Sequence, residues 1–351
     1  MNKLREICGF SLILVFGYLS SLSLLKSIWL ENTAAPTDNI FTGEKWFAIP
    51  SGSDLLDVDF YSHPKDSSVV GIKFHMEEKA GNLAKELIQE LDDSFEKTPV
   101  SLNSVASLPE IALATGSSSN HFEELLAHIN RVPLFFPNKV LIVYDLGLSK
   151  QEVKRLRNIS FVEYRKFNFV RYPGHVKDLH TYAWKPLVVQ QLLNQYGGVM
   201  WMDSSIILNR NITYLLERMV KLQSGFLFYL PGAEHSIVSA THPQMLQYLP
   251  MADLEAMTDE MNQGGGIIIF NTPQVLRDIF RWVLVCALHK ECISPKGSKR
   301  FCDFKFPKDH FGGCHRYDQS MMSIIVANAN NYNQERYRLN ENEHPCEIQK
   351  I

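Results

Sequence analysis

Tyr196-Gly197-Gly198-Val199-Met200-Trp201-Met202-Asp203-Ser204-Ser205-Ile206-Ile207-Leu208 is the stretch from which the rest of the chain is best read. A glycine turn opens an apolar run too brief for a helix, an acid with two hydroxyls behind it follows, and a second apolar run closes the stretch. That pattern predicts a buried strand ending in a carboxylate. In an open α/β sheet ligands collect beyond the carboxyl ends of the strands, so Asp203 stands where a cofactor or substrate would lie. Taken alone, Asp203 would read as a cap on the next turn. The run upstream argues otherwise: from His180 to Gln195, Leu187, Val188, Gln191, Leu192 and Gln195 have the spacing of an amphipathic helix. Pro186 falls in its first turn, where a missing N–H costs least.

Helix, glycine pair, buried strand and acid in this order resemble glycosyltransferases of the GT-A fold, in which a helix carrying a basic residue leads through a turn into a strand ending in Asp-x-Asp. The matching positions are Lys185 on the helix and Asp203 with Ser205 at the strand end. The resemblance implies that Asp203 and its partner hold a divalent metal, Mn²⁺ or Mg²⁺, on the diphosphate of a nucleotide-sugar donor. The chain departs from the pattern at Ser205, where the second carboxylate usually stands. The order of elements follows the resemblance from about Leu108 to Asn330, and the chain looks most like animal type II membrane proteins assigned to the nucleotide-diphospho-sugar transferase class.

With 351 residues, 45% of them apolar, and a net charge of -3, the chain can bury a full core and carries no basic excess, which does not indicate nucleic acid. Cys8 to Leu25 is an uncharged, largely apolar run behind Lys3 and Arg5, and it continues into Ile28, Trp29 and Leu30. About 20 such residues cross a bilayer, and the basic flank leaves the short tail in the cytosol. We expect residues 1–30 to be a cytosolic tail and signal-anchor helix of a single-pass type II protein in the Golgi or ER membrane, with the body in the lumen. A cleavable signal peptide ending near Ser21-Leu22-Ser23 is the competing reading, and it also sends the body into the secretory pathway.

Residues 31–107, broken by Pro36, Pro50, Gly52 and Pro64, are expected to form a stem, with Glu77 to Asp93 moderately helical. Trp46, Phe47, Phe60 and Phe74 support the opposite reading, a packed subdomain. Residues 108–351 are expected to form the GT-A-like domain: an α/β fold with a mostly parallel twisted sheet and helices on both faces. Its first strand, from Glu110, runs into a small-residue loop at Thr115, Gly116 and Ser117, where backbone and hydroxyls can approach a nucleoside. Strands from Lys139 to Asp145 and from Phe161 to Phe167 flank a helix from Lys150 to Arg157, and this alternation argues for parallel strands. Asp145 ends its strand on the same expected edge as Asp203 and is a second candidate for nucleotide contact. His175, His180 and the Thr241-His242-Pro243 segment are candidates for substrate and acceptor contact.

Gln263-Gly264-Gly265-Gly266 enters another buried strand, and Gly264 and Gly265 either admit the donor closely or mark a bulge. In Cys314-His315-Arg316-Tyr317-Asp318, Asp318 can cap the following helix. The resemblance also makes His315 a third metal ligand and places Asp318 at the donor site. Five cysteines, Cys286, Cys292, Cys302, Cys314 and Cys346, crowd the last fifth of the chain without a C-x-x-C knuckle, which favours disulfides over zinc. Cys286 lies on the apolar face of a helix from Pro273 to Leu288 and reads as a buried thiol, with pairing among Cys292, Cys302 and Cys314. Asn158 and Asn211 begin glycosylation sequons.

The function expected is transfer of a sugar from a nucleotide-diphospho-sugar to a glycan, protein or lipid acceptor, with Asp318 as base and Lys185 as a source of positive charge. Two alternatives stand beside it. One is a catalytically silent GT-A-like protein that binds sugar or nucleotide, favoured by Ser205. The other is a secreted interaction domain, favoured if Lys185, Asp203 and Asp318 are scattered.

Overall fold

In a computed structural model of the chain, the described residues are 55–60, 72–251, 253, 255–303, 305–340 and 342–348. The apolar run proposed as an anchor lies outside them, and among the described residues no helix is long and apolar enough to cross a membrane.

A hairpin of β1 (Leu55–Phe60) and β2 (Ile72–Glu77) leads into α1 (Glu78–Lys97). The body follows as β3 (Ile111–Ser117), α2 (Phe122–Phe135), β4 (Leu141–Asp145), α3 (Lys150–Arg157) and β5 (Val162–Lys166). After three short 3₁₀ turns come α4 (Trp184–Tyr196), β6 (Gly198–Met202), β7 (Ile206–Leu208), α5 (Thr213–Lys221), β8 (Phe226–Phe228) and β9 (Gly232–Ser236). The last third holds β10 (Glu260–Asn262), β11 (Gly266–Phe270), α6 (Arg281–Leu288), α7 (Lys290–Ile293), α8 (Asp318–Ala329) and β12 (Cys346–Ile348).

Six strands form the central sheet in the order β5-β4-β3-β6-β11-β8. β5, β4, β3 and β6 are parallel, and β11 runs antiparallel to β6 and β8. This is the mostly parallel α/β class expected from the sequence. Alternate residues of the central strands face opposite sides, as a pleated strand requires. Val199, Trp201, Ile267 and Ile269 join a core with Leu87, Leu187, Leu284 and Ile324, from α1, α4, α6 and α8. Met200, Met202, Ile268 and Phe270 join a second core with Ile129 of α2, Leu156 of α3 and Met219 of α5. Burial on both faces explains why these strands read as unbroken apolar runs.

The turn from α4 into β6 is the glycine pair of the opening stretch. Gly197 closes the helix with φ +72°, a left-handed conformation that favours glycine, and its N–H reaches the Leu193 carbonyl at 2.9 Å. Because α4 runs back along the sheet, its first turn lies at the carboxyl end of β6. The reversed direction of β11 brings the start of that strand to the same edge, with Gly266 paired to Met202. Both placements follow from connectivity.

Three expectations need correction here. α1 is not a free spacer: Ala84, Leu87 and Leu91 are fully buried in the first core, and Arg281 of α6 pairs with its Asp92 at 2.6 Å. Val100 and Leu102 join the second core, so the packed body begins upstream of residue 108. Cys286 is not a thiol: it bridges to Cys292 across the break between α6 and α7, where His289 leaves helical geometry. A second disulfide joins Cys302 and Cys314. Cys346 is the free, buried cysteine, and burial pushes its thiol up to about 12.

Candidate active site

Three chain segments meet at the carboxyl edge of β6. Lys185 rises from the first turn of α4, Asp203 follows the last residue of β6, and Asp318 opens α8. The Lys185 ammonium lies 3.1 Å from Asp203 Oδ1 and 2.9 Å from Asp318 Oδ2, and it donates to the Gly264 carbonyl at 3.3 Å. Two carboxylates and one carbonyl thus surround the ammonium. The side chains of Lys185 and Asp318 are 3% and 6% exposed, against 33% for Asp203, so only Asp203 offers an edge to solvent.

The surroundings hold Asp203 in place. Trp201 Nε1 donates to Asp203 Oδ1 at 2.7 Å, and the Trp201 carbonyl accepts from the buried Tyr229 hydroxyl at 2.7 Å. The Asp203 N–H donates to the Gly265 carbonyl at 2.8 Å. A Cβ at Gly265 would stand 2.8 Å from Asp203 Oδ2, and one at Gly264 would stand 3.3 Å from Asp318 Oδ2. Small residues are therefore required where the backbone closes over the carboxylates.

Burial alone would drive Lys185 toward its neutral form. Asp203 and Asp318 outweigh it and hold the ammonium above its ordinary range. Asp318 is raised, chiefly by burial and further by Asp203, with Lys185 opposing. With all three ionised the cluster carries one net negative charge, and the exposed Asp203 edge presents it.

Two tyrosines that the sequence did not single out frame the cluster. Tyr182 and Tyr317 have φ of +54° and +48°, conformations a non-glycine residue adopts at a cost of roughly 1–3 kcal/mol. Tyr182 puts its ring 5.3 Å from Lys185 Nζ, and Tyr317 immediately precedes Asp318. Their rings lie 6.5 Å apart.

Other candidates sit elsewhere or are already engaged. His315 is fully buried: its Nδ1 accepts from the His242 N–H at 3.1 Å and its Nε2 donates to the Ile293 carbonyl at 3.1 Å. With both ring nitrogens used inside the fold, it cannot be a metal ligand without giving up one of these bonds. Asp145 is likewise spent on its own turn, accepting from the Gly147 and Leu148 N–H groups and from the Tyr164 hydroxyl at 2.7–2.8 Å. Thr115, Gly116 and Ser117 are the last residues of β3, not a loop. Thr115 and Ser117 are buried, and a Cβ on Gly116 would meet Leu146, Trp184 and Trp201 at 3.1–3.2 Å, so this glycine answers to packing. Ser205 is half-buried in the turn after Asp203. His175 Nε2 donates to the Ala287 carbonyl at 2.9 Å, and His180 Nδ1 is 2.5 Å from Arg300 Nη1, from which it accepts. Among the described residues no three His, Cys, Asp or Glu side chains are grouped to hold a metal ion. The donor set expected from the resemblance reduces to one carboxylate, already paired with an ammonium, and a hydroxyl. This does not fit a hard divalent ion, which draws its protein binding mainly from anionic oxygens.

Comparison with known proteins matches residues 56–190, less than half of the chain, to a family described as a protein of unknown function, DUF1647. No curated protein matches the sequence. Among solved structures, the chain is similar to the apo form of mouse xyloside xylosyltransferase 1, with 10% identity, TM-score 0.39, and 66% of this chain and 84% of that one covered. It is similar also to the mannosyltransferase Ktr4p from S. cerevisiae in complex with GDP, with 8% identity, TM-score 0.34, and coverage of 70% and 76%. A third is the galactosyltransferase LgtC in complex with donor and acceptor sugar analogs, with 14% identity and TM-score 0.31; the match covers 49% of this chain and 64% of that one, just under two thirds of its length. These neighbours are GT-A-type glycosyltransferases. The scores are too low to carry any residue's role across.

Proposed function

We propose that the protein transfers a sugar from a nucleotide-diphospho-sugar to a glycan, protein or lipid acceptor. The observation that carries this reading is Lys185 held between Asp203 and Asp318 at the sheet edge where α/β folds bind ligands. Breaking a sugar–phosphate bond leaves negative charge on the diphosphate, and such chemistry needs groups fixed before the substrate arrives. Asp203 is the group that can touch substrate: its exposed edge accepts hydrogen bonds from sugar hydroxyls while Trp201 and Lys185 hold the carboxylate still. Lys185 and Asp318 are positioning residues, because burial keeps both from the substrate and their effect runs through Asp203. This revises the role of Asp318 expected from the sequence, that of a base acting directly on the acceptor.

We place the body in the secretory lumen behind an N-terminal anchor. The disulfides Cys286–Cys292 and Cys302–Cys314 support an oxidising compartment. The test is incubation of the full-length protein with uridine and guanosine diphospho-sugars, following release of the nucleoside diphosphate. Turnover with at least one donor, lost in Asp203→Asn, is expected. Absence of both turnover and binding across the donor panel would remove the proposal.

A further inference from the structure

The carboxylates at the sheet edge already have their cation in Lys185. We propose that the site takes a nucleoside diphosphate without a divalent metal ion: Lys185 satisfies Asp203 and Asp318, and Arg316 with Arg300 faces the diphosphate. This rests on the nucleotide-sugar reading given above.

The carboxylate side is closed to a metal by what surrounds it. Asp203 Oδ1 is taken by Trp201 Nε1 at 2.7 Å and Lys185 Nζ at 3.1 Å, and Gly265 lies against Oδ2. A metal ion on Asp203 would compete with Lys185 directly. Displacing that ammonium from Asp203 would take from a cation that is 3% exposed one of its two carboxylate partners. Neither Ser205 nor the inward-facing His315 makes up the deficit, since one is neutral and the other has both nitrogens bonded within the protein.

The segment after α7 has the opposite character. The segment Lys296 to Arg316 contains six lysines and arginines against two aspartates, in a chain whose net charge is -3. The Cys302–Cys314 disulfide ties this segment into a loop next to Asp318. Arg316 is two residues from Asp318, and its backbone N–H is anchored to the Ala240 carbonyl at 3.1 Å and to Ser320 Oγ at 3.0 Å. Its guanidinium reaches the Arg300 carbonyl at 3.4 Å, and the Arg300 guanidinium lies 2.5 Å from His180 Nδ1, on the loop that leads into α4. Both arginines are half-buried, and among the described residues neither has a carboxylate within ion-pair distance. A guanidinium presents paired donors that match phosphate oxygens, so two of them beside an anionic cluster suit a diphosphate rather than a single acid.

Calorimetric titration of the full-length protein with UDP, GDP and inorganic pyrophosphate, in EDTA and again in MnCl₂, tests this. The nucleoside diphosphate that binds should do so with affinities that agree within about twofold in the two buffers, and Arg316→Met should weaken it at least about tenfold. Pyrophosphate should bind more weakly, since it lacks the nucleoside. Nucleotide binding that appears only with Mn²⁺ would overturn the inference while leaving the nucleotide-sugar reading standing. Failure of every ligand in both buffers would remove the reading itself. Mn²⁺ binding followed by electron paramagnetic resonance gives a second readout that needs no nucleotide: the wild type should not bind the ion, whereas Lys185→Ala frees two carboxylates and should. Mn²⁺ binding by the wild type that Asp203→Asn abolishes would contradict the proposal even if Lys185→Ala fails to fold.

Discussion

Asp203 and Gly265 face each other across β6 and the turn before β11, with the Asp203 N–H on the Gly265 carbonyl at 2.8 Å and Asp203 Oδ2 where a Gly265 Cβ would collide. The carboxylate is thus located by backbone from one side and by Lys185 and Trp201 from the other. A methyl group at this position must push either the carboxylate or the strand aside.

Gly265→Ala is therefore expected to weaken substrate binding while leaving the protein folded. The built Cβ would be 2.8 Å from Asp203 Oδ2 and 3.3 Å from Leu230 Cδ1, a crowding that costs about 1–3 kcal/mol. Thermal unfolding with ligand titration checks it. Unchanged donor binding would show that Asp203 can move without consequence.

Lys185→Met should destabilise the fold by about 3–5 kcal/mol, because it strands Asp318 as a buried, unpaired carboxylate. Adding Asp318→Asn should recover much of that loss, since the charge left without a partner is then gone. A double-mutant cycle in denaturant measures the coupling. Additive effects would mean that the two groups do not depend on one another.

His315 predicts the shape of the acid limb of stability. Burial, with His242 adding to it, lowers this imidazole from 6.5 to about 3, against the opposing bond to Ile293. The unfolded chain then binds a proton that the folded one refuses. This contribution is fully present above about pH 6.5 and is lost as pH falls from there toward 3. His315→Gln should flatten part of that limb in denaturant titrations at successive pH values, and an unchanged slope would contradict the burial argument.

What the sequence disclosed was local, and what it hid was direction and distance. The helix, the Gly197–Gly198 turn and the buried strand before Asp203 follow from neighbouring residues, and the structure has them at Trp184–Tyr196 and Gly198–Met202. Lys185, Asp203, Asp318, Gly264 and Gly265 were each singled out from separate stretches. That they meet at one point depends on β11 returning antiparallel beside β6, which no single stretch encodes. His315 shows the limit in the other direction: it stands three residues from Asp318, yet its ring turns into the core toward Ile293. Asp145 has the expected place at a strand end, but its turn absorbs both oxygens. Arg316 and Arg300 were passed over because a half-buried arginine looks in sequence like any surface charge. The helical character of Glu77 to Asp93 was legible, but nothing in that charged stretch told that Ala84, Leu87 and Leu91 pack against the body.

The central claim is that Asp203 contacts the donor. Asp203→Asn keeps the size and most of the hydrogen bonding of the side chain while removing its charge, and because Lys185 keeps Asp318 as a carboxylate partner, donor affinity should fall by more than stability does. Calorimetric titration of wild type and variant with the donor that the wild type binds best, beside their thermal unfolding curves, separates the two effects. Donor affinity should fall at least about tenfold, about 1.4 kcal/mol, with a smaller loss in unfolding free energy. Equal affinity in the two proteins would contradict it.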